Sequence, residues 1–308
     1  MHSRKPVNIL AFNMAVAQLL ESVTHQYNDF ALQFGEWRGV PSVQPRNVEE
    51  FSKRYIDHTP NERIVTLGQG LSSLALSPDV EISSTDREDV LRHTKNGGVL
   101  IIVGNHVKGI DPLTFSAVVC REPAFEVIKH DIIIPAKPVI FRIPGIRHLA
   151  EGMGSFPVIR KKDVLGKDGK VSKENKVFQT ESGKFTVELM VNHLVGKASD
   201  DIENVEDVKG GSDFIMAEGE RNKGNPLDVQ EFDMGAVYMY EKALRRGAKV
   251  AILTNGVVYD AGSMFRATVH IGGLIEPKGK GLNERSESIR KAVQHNVDEA
   301  RRVGYRNK

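Results

Sequence analysis

The feature that most constrains this chain is the apolar run Val99-Leu100-Ile101-Ile102-Val103, closed by Gly104 and followed at once by polar residues. Apolar, largely β-branched residues with no polar alternation predict a strand buried on both faces. Such a strand needs layers of structure above and below it. Phe214-Ile215-Met216-Ala217 and Val250-Ala251-Ile252-Leu253 read the same way, and Thr268-Val269-His270-Ile271-Gly272 alternates more. Helices are expected over 86–95, closed by Asn96-Gly97-Gly98, and over 112–121, 178–197 and 234–247. A C-terminal amphipathic helix is expected from Asn283 to Val303. Strands alternating with helices predict an α/β fold: a mostly parallel central sheet flanked by helices, with an N-terminal helical extension. The expected division is an N-terminal helical region, 1–94, packed on an α/β domain, 95–308.

In the extension, Phe12, Val16, Leu19, Leu20, Val23, Tyr27, Phe30 and Phe34 recur at spacings of three and four. That spacing predicts a helix over 7–34 with one apolar stripe. Packing on the main domain is the ordinary use of such a stripe; resting on a membrane surface is the alternative, although a Lys/Arg-rich polar face is missing. Residues 35–46 read as a loop, and 48–76 as a helical region broken near Thr59-Pro60. No segment has the roughly 18 consecutive apolar residues of a spanning helix, so a soluble or peripheral protein is expected. The net charge of +2 is too small to argue for nucleic acid, and the single cysteine, Cys120, excludes a disulfide within the chain. Two charged linkers are expected, a lysine-rich one over 161–176 and a mostly acidic one over 198–213.

The polar residues after the first strand are Asn105-His106-Val107-Lys108-Gly109-Ile110-Asp111-Pro112. Ligands in open α/β sheets collect at the carboxyl ends of strands. A neutral imidazole takes a proton from a hydroxyl near neutral pH, and a carboxylate on its other nitrogen orients it and stabilises the imidazolium. Five positions of separation let a turn fold Asp111 back onto His106. By spacing alone the pair also fits two residues capping the helix that begins near Pro112. About half a His-x4-Asp match is expected by chance in such a chain. A metal pair is a third reading, but no second cluster with ligand spacing accompanies it.

Three further stretches follow. In Gly152-Met153-Gly154-Ser155-Phe156-Pro157-Val158-Ile159-Arg160, glycines permit a tight turn and Arg160 offers a planar fork of donors suited to phosphate. Read alone, Arg160 fits an ordinary surface ion pair better. In Ala217-Glu218-Gly219-Glu220-Arg221-Asn222, Glu218 is placed to orient a substrate hydroxyl or hold Arg221. Arg221 is placed to bind phosphate with backbone N–H groups near Gly219, and a charged turn is the plain alternative. Thr254-Asn255-Gly256 reads as a turn after the strand 250–253.

In this order the motifs resemble those of the glycerolipid acyltransferase family, which includes the bacterial 1-acyl-glycerol-3-phosphate acyltransferases. That family carries Asn-His-x4-Asp, then Gly with an apolar run and Arg, then Phe-Pro-Glu-Gly-Thr-Arg-Ser, then an apolar strand. Phe232-Asp233-Met234-Gly235 and Ile271-Gly272-Gly273-Leu274-Ile275-Glu276-Pro277 resemble later family features. The likeness covers roughly residues 95–300. The chain departs from the pattern with Ala217 for proline, Glu220 for threonine and no proline in the last strand.

The resemblance implies transfer of a fatty acyl group from acyl-coenzyme A or acyl carrier protein to a hydroxyl. It implies His106 as general base and Asp111 as its orienting carboxylate. Asn105, Gly154, Arg160, Glu218, Gly219 and Arg221 are the implied substrate-binding residues. A lysophosphatidic acid is the leading acceptor, and glycerol-3-phosphate or a non-phosphorylated acceptor the next. Neither metal nor cofactor beyond the thioester is implied, because a thioester is already activated. A cytoplasmic enzyme in peripheral contact with a membrane follows from a lipid acceptor. A non-catalytic lipid- or anion-binding protein is the reading of another class.

Overall fold

The computed structural model describes residues 55, 58–142, 144–159, 173–196, 210–216, 218–219, 224–263 and 265–306. The stripe expected at 12–34, the loop at 35–46, most of both linkers, Arg160, Glu220 and Arg221 lie outside these residues.

Among the described residues the sheet has seven strands: β1 (Asp79–Ile82), β2 (Val99–Gly104), β3 (Ile132–Ala136), β4 (Ser155–Pro157), β5 (Ser212–Met216), β6 (Val250–Tyr259) and β7 (Ala267–Ile275). Their order across the sheet is β1-β7-β6-β2-β5-β3-β4. Every pairing is parallel except the antiparallel β6–β7 ladder. The helices among the described residues are α1 (Glu62–Ala75), α2 (Ser84–Lys95), α3 (Asp111–Arg121), α4 (Pro144–Gly152), α5 (Lys173–Val195), α6 (Gly235–Arg245) and α7 (Leu282–Arg306). None of them is long and apolar enough to cross a membrane.

Strand β2 organises the layers. All six of its residues are buried. Val99, Ile101 and Val103 join a core with Leu189, Met190 and Leu194 of α5, Val237 of α6, and Ile289, Val293 and Val297 of α7. Leu100 and Ile102 join the opposite core, with Val90 of α2 and Phe115, Val118 and Val119 of α3. The period of two thus feeds both faces at once. Fully burying one such side chain contributes about 1.5–3 kcal/mol. On the second face Phe115 stacks on Phe214, ring centroids 4.0 Å apart and 3° from parallel.

Local chemistry sets the helix ends. The Ser83 side chain accepts from the Asp86 amide at the start of α2, and Arg92, His93 and Lys95 occupy its last turn, where the helix dipole favours cations. At α3, Pro112 sits in the first turn, where a missing N–H costs nothing.

The structure corrects several expected boundaries. The sheet reaches back to Asp79, because β1 pairs with β7, so a boundary at residue 94 cuts through the sheet. Helix α5 starts at Lys173, inside the expected basic linker, and Ser212 and Asp213 belong to β5. Thr254-Asn255-Gly256 is not a turn: it lies inside β6, with Asn255 opposite Ile271 and Gly256 opposite His270. The register shifts between Leu253 and Asn255, the mark of a bulge, which accommodates turn-type residues within a strand.

Gly256 is required by packing. A Cβ there would lie 2.3 Å from the Val297 amide nitrogen and 2.4 Å from the Asn296 carbonyl carbon. Both are backbone atoms of α7, so the helix itself would have to move. The Gly256→Ala protein is expected to lose about 2 kcal/mol of stability; a urea midpoint unchanged from the parent would refute this contact.

Candidate active site

Registers across the sheet bring Gly104, Met216 and Asn255 to one level, the carboxyl ends of β2 and β5 beside the middle of β6. Gly104 is small because the Asn255 side chain crosses in front of it: a Cβ would lie 2.6 Å from Oδ1. The next residue, Asn105, is 3% exposed and clamps the two strands together. Its Nδ2 donates to the Val257 carbonyl at 3.0 Å, and its Oδ1 accepts from the Val257 amide at 2.8 Å. The contribution of Asn105 to the site thus runs through the backbone that carries His106.

The turn after Asn105 folds Asp111 back onto His106, with Nδ1 and Oδ2 2.9 Å apart. The same oxygen accepts the amides of Val107 at 2.7 Å and Lys108 at 2.9 Å. The other carboxylate oxygen, Oδ1, accepts the Tyr259 hydroxyl at 2.7 Å. A carboxylate 3% exposed is costly to bury, and these four donors offset that cost. Asp111 is the first residue of α3, where the helix dipole adds to its stabilisation. It does not cap the helix: the N-cap position is Ile110, which makes no side-chain bond. An ionised carboxylate only accepts, so Nδ1 carries the ring proton. Nε2 is left with its lone pair and has no hydrogen-bond partner among the described residues. That arrangement suits a general base.

Glu218 and Gly219 follow β5 as a turn, the Gly219 amide donating to the Met216 carbonyl at 2.9 Å, with Gly219 at φ +66°. The structure brings Glu218 against the pair. Burial pushes its carboxyl up to about 7; amides of Gln230 and His106 act against that shift, and the Asp111 charge adds to it. The Gln230 amide reaches Oε1 at 3.3 Å, while Oε2 is buried without a partner among the described residues.

Tyr259, Thr114 and Lys108 complete the surroundings. Thr114 Oγ1 lies 2.9 Å from the Tyr259 hydroxyl oxygen. The Lys108 ammonium sits 4.4 Å from the Tyr259 ring centroid and donates to the Ser263 carbonyl at 2.6 Å. No sequence signal marks Tyr259: it stands 148 positions from Asp111, and only the β6 pairing brings it there. Among the described residues no three His, Cys, Asp or Glu side chains converge as metal ligands would.

Gly154 is not brought to the pair. It precedes β4, whose Ser155 pairs with Ile134 and whose Pro157 is the residue level with the site. It has φ +83°, and a Cβ would lie 2.4 Å from the Ile132 carbonyl oxygen, so both backbone angle and space demand glycine. A second His–Asp contact, His193 Nδ1 to Asp213 Oδ1 at 2.9 Å, lies deeper. Asp213 pairs with Ile101, three residues before Gly104, and is fully buried, which pushes its carboxyl up to about 6.

A Gly154→Ala substitution should therefore cost about 2 kcal/mol of stability. The acceptor KM should stay within about twofold of the parent value. A raised KM in a protein of unchanged stability would return Gly154 to the binding surface.

A search of curated proteins returned no match. A family model described as Acyltransferase, the family of the 1-acyl-glycerol-3-phosphate acyltransferases, matches residues 82–258. That span runs from the end of β1 to the penultimate residue of β6 and holds the His106–Asp111 pair and Glu218. With more than half of its length matched, and with this sheet and site, the chain belongs to the acyltransferase family.

Proposed function

We propose that the protein transfers a fatty acyl group from a thioester, acyl-coenzyme A or acyl carrier protein, to a hydroxyl of a glycerophosphate-type acceptor. The single observation that carries this reading is the locked His106–Asp111 pair, with Nδ1 engaged and Nε2 unpartnered among the described residues. Nε2 takes the acceptor's hydroxyl proton as the oxygen attacks the thioester carbonyl. The carbonyl becomes a tetrahedral oxyanion, which collapses with loss of the thiolate, and the imidazolium returns the proton to sulfur. Asp111 holds the ring and stabilises the imidazolium. The thioester supplies the activation, so the reading calls for no further cofactor.

Glu218, raised by burial and poised beside His106, accepts a hydrogen bond from the acceptor hydroxyl in its ionised form. Gly219 lets the chain turn there. Arg160 and Arg221 are proposed to hold the acceptor's phosphate; this rests on the family resemblance and on guanidinium chemistry alone. A 1-acyl-glycerol-3-phosphate is the preferred acceptor, in phospholipid synthesis, with glycerol-3-phosphate or a non-phosphorylated alcohol next. A lipid acceptor implies peripheral contact with the cytoplasmic face of a membrane. Leu67, Leu71 and Leu74 support that contact: at 59, 51 and 57% exposure they form an apolar stripe on α1. The end of α1 packs on Ile110, next to Asp111. Single exposed leucines are ordinary, but three at helical spacing on one helix are a patch.

The test is thiol release measured across a panel of glycerol-3-phosphate, its 1-acyl form and non-phosphorylated alcohols. The His106→Ala protein is expected to lose at least about a thousandfold in kcat while remaining folded. Unchanged release would abandon the catalytic reading and leave a lipid- or anion-binding protein. The pH profile carries a second expectation. Glu218 is neutral below about pH 7 and ionised above it. The acid side of log kcat/KM should therefore carry the protonation of Glu218, which adds about one to its limiting slope. In a Glu218→Gln protein the slope should fall by about one; a slope unchanged by that substitution would remove Glu218 from the reaction.

A further inference from the structure

We propose that Tyr259 is a positioning residue for the catalytic pair: by donating its hydroxyl proton to Asp111 Oδ1, it sets how strongly the carboxylate holds the His106 ring. This rests on the general-base reading of His106. The remaining donors to the carboxylate come from the short turn that contains it: Val107, Lys108 and His106 all reach Oδ2. Tyr259 supplies the donor on Oδ1 from the far end of β6, and no other donor to that oxygen is present among the described residues. The two oxygens therefore do different work. Oδ2 fixes the turn and the ring, and Oδ1 is the one through which the fold adjusts the carboxylate's charge.

The direction of each proton follows from valence. Asp111 only accepts, and a phenol has one proton, so Tyr259 gives that proton to Asp111. The Tyr259 oxygen then has lone pairs to offer, and Thr114 Oγ1, 2.9 Å away, donates to it. Thr114 is buried on α3, the helix that Asp111 begins, so helix and strand are joined through this relay. Burial and the neighbouring Asp111 charge push the Tyr259 phenol far above its ordinary value, so it stays a neutral donor. The Lys108 ammonium above the ring favours electron density in the phenol face and helps hold the ring in place.

A donor on Oδ1 draws charge away from Oδ2. Without it the carboxylate becomes a stronger acceptor, binds the imidazolium more tightly, and lets His106 keep its proton to higher pH. The proton is then also harder to return to the departing sulfur. Tyr259 is partly buried, with its hydroxyl engaged by Asp111 and Thr114, so acceptor binding should be spared.

The experiment uses the full chain with Tyr259→Phe, which keeps the ring and removes the donor, and with Thr114→Val, which removes only the donor to Tyr259. Both are first shown to be folded. In Tyr259→Phe the acid limb of kcat/KM should move up by roughly half to one pH unit, kcat should fall about tenfold, and KM should change less than about twofold. Thr114→Val should shift the limb the same way by less. The low-field proton resonance of His106 Nδ1–H, read without any substrate, should move further downfield in Tyr259→Phe. An unmoved limb together with an unmoved resonance in the folded variant would overturn the proposal and leave Tyr259 as packing alone. The resonance separates the two ideas: if His106→Ala retained activity, the general-base reading would fall, while a shifted resonance in Tyr259→Phe would still show the coupling of Tyr259 to the pair.

Discussion

A carboxylate buried at the first residue of a helix is the constraint around which this site is built. Asp111 is 3% exposed, and a charge so placed persists only if its oxygens are satisfied. Oδ2 draws the Val107 and Lys108 amides and the His106 ring into one compact turn. Oδ1 requires a donor from elsewhere, and Tyr259 at the end of β6 provides it. That single demand couples the loop after β2, the start of α3 and the length of β6.

The sheet supplies what the turn cannot. Asn105 ties its side chain to both the N–H and the C=O of Val257, which joins the end of β2 to β6 beside the pair. On the other flank, β5 delivers Glu218 into a partly buried position near a second carboxylate. Two acidic groups in such proximity separate in character. Asp111 is surrounded by donors, whereas burial outweighs the Gln230 and His106 amides at Glu218 and raises it to about 7. Environment, more than residue type, distinguishes their roles. The membership of residues 82–258 in the acyltransferase family agrees with this arrangement in general terms.

Much of the architecture was legible. Unbroken apolar runs at 99–103, 214–217 and 250–253 announce buried strands because a strand covered on both faces tolerates no polar alternation. Helices α2, α3, α6 and α7 were legible through their periodicity and punctuation. Strand β1 was not, since Asp79–Ile82 is half polar at a sheet edge, while β4, Ser155–Pro157, was legible only as a short apolar strand-like piece before Arg160. Strand β3, Ile132–Ala136, ends in a proline-containing stretch and also escaped. Thr254-Asn255-Gly256 misled because turn-type residues there serve packing: Asn255 crosses Gly104, and Gly256 admits the backbone of α7. At Gly154 a positive φ and the nearby Ile132 carbonyl each demand glycine on structural grounds, which the sequence does not reveal.

The sequence by itself determined the layered α/β architecture and the closeness of His106 to Asp111, because both follow from local information. Hydrophobic period dictates which residues must be covered, and a five-residue spacing lets one turn bring ring and carboxylate together. Only the tertiary structure decided what surrounds that pair. Tyr259 meets Asp111 and Thr114, and Glu218 meets His106, through strand order and register, and these are set by packing between elements more than a hundred residues apart in the chain. The charge of a buried carboxylate depends on every donor within reach, so its chemistry belongs to the assembled sheet and not to the motif.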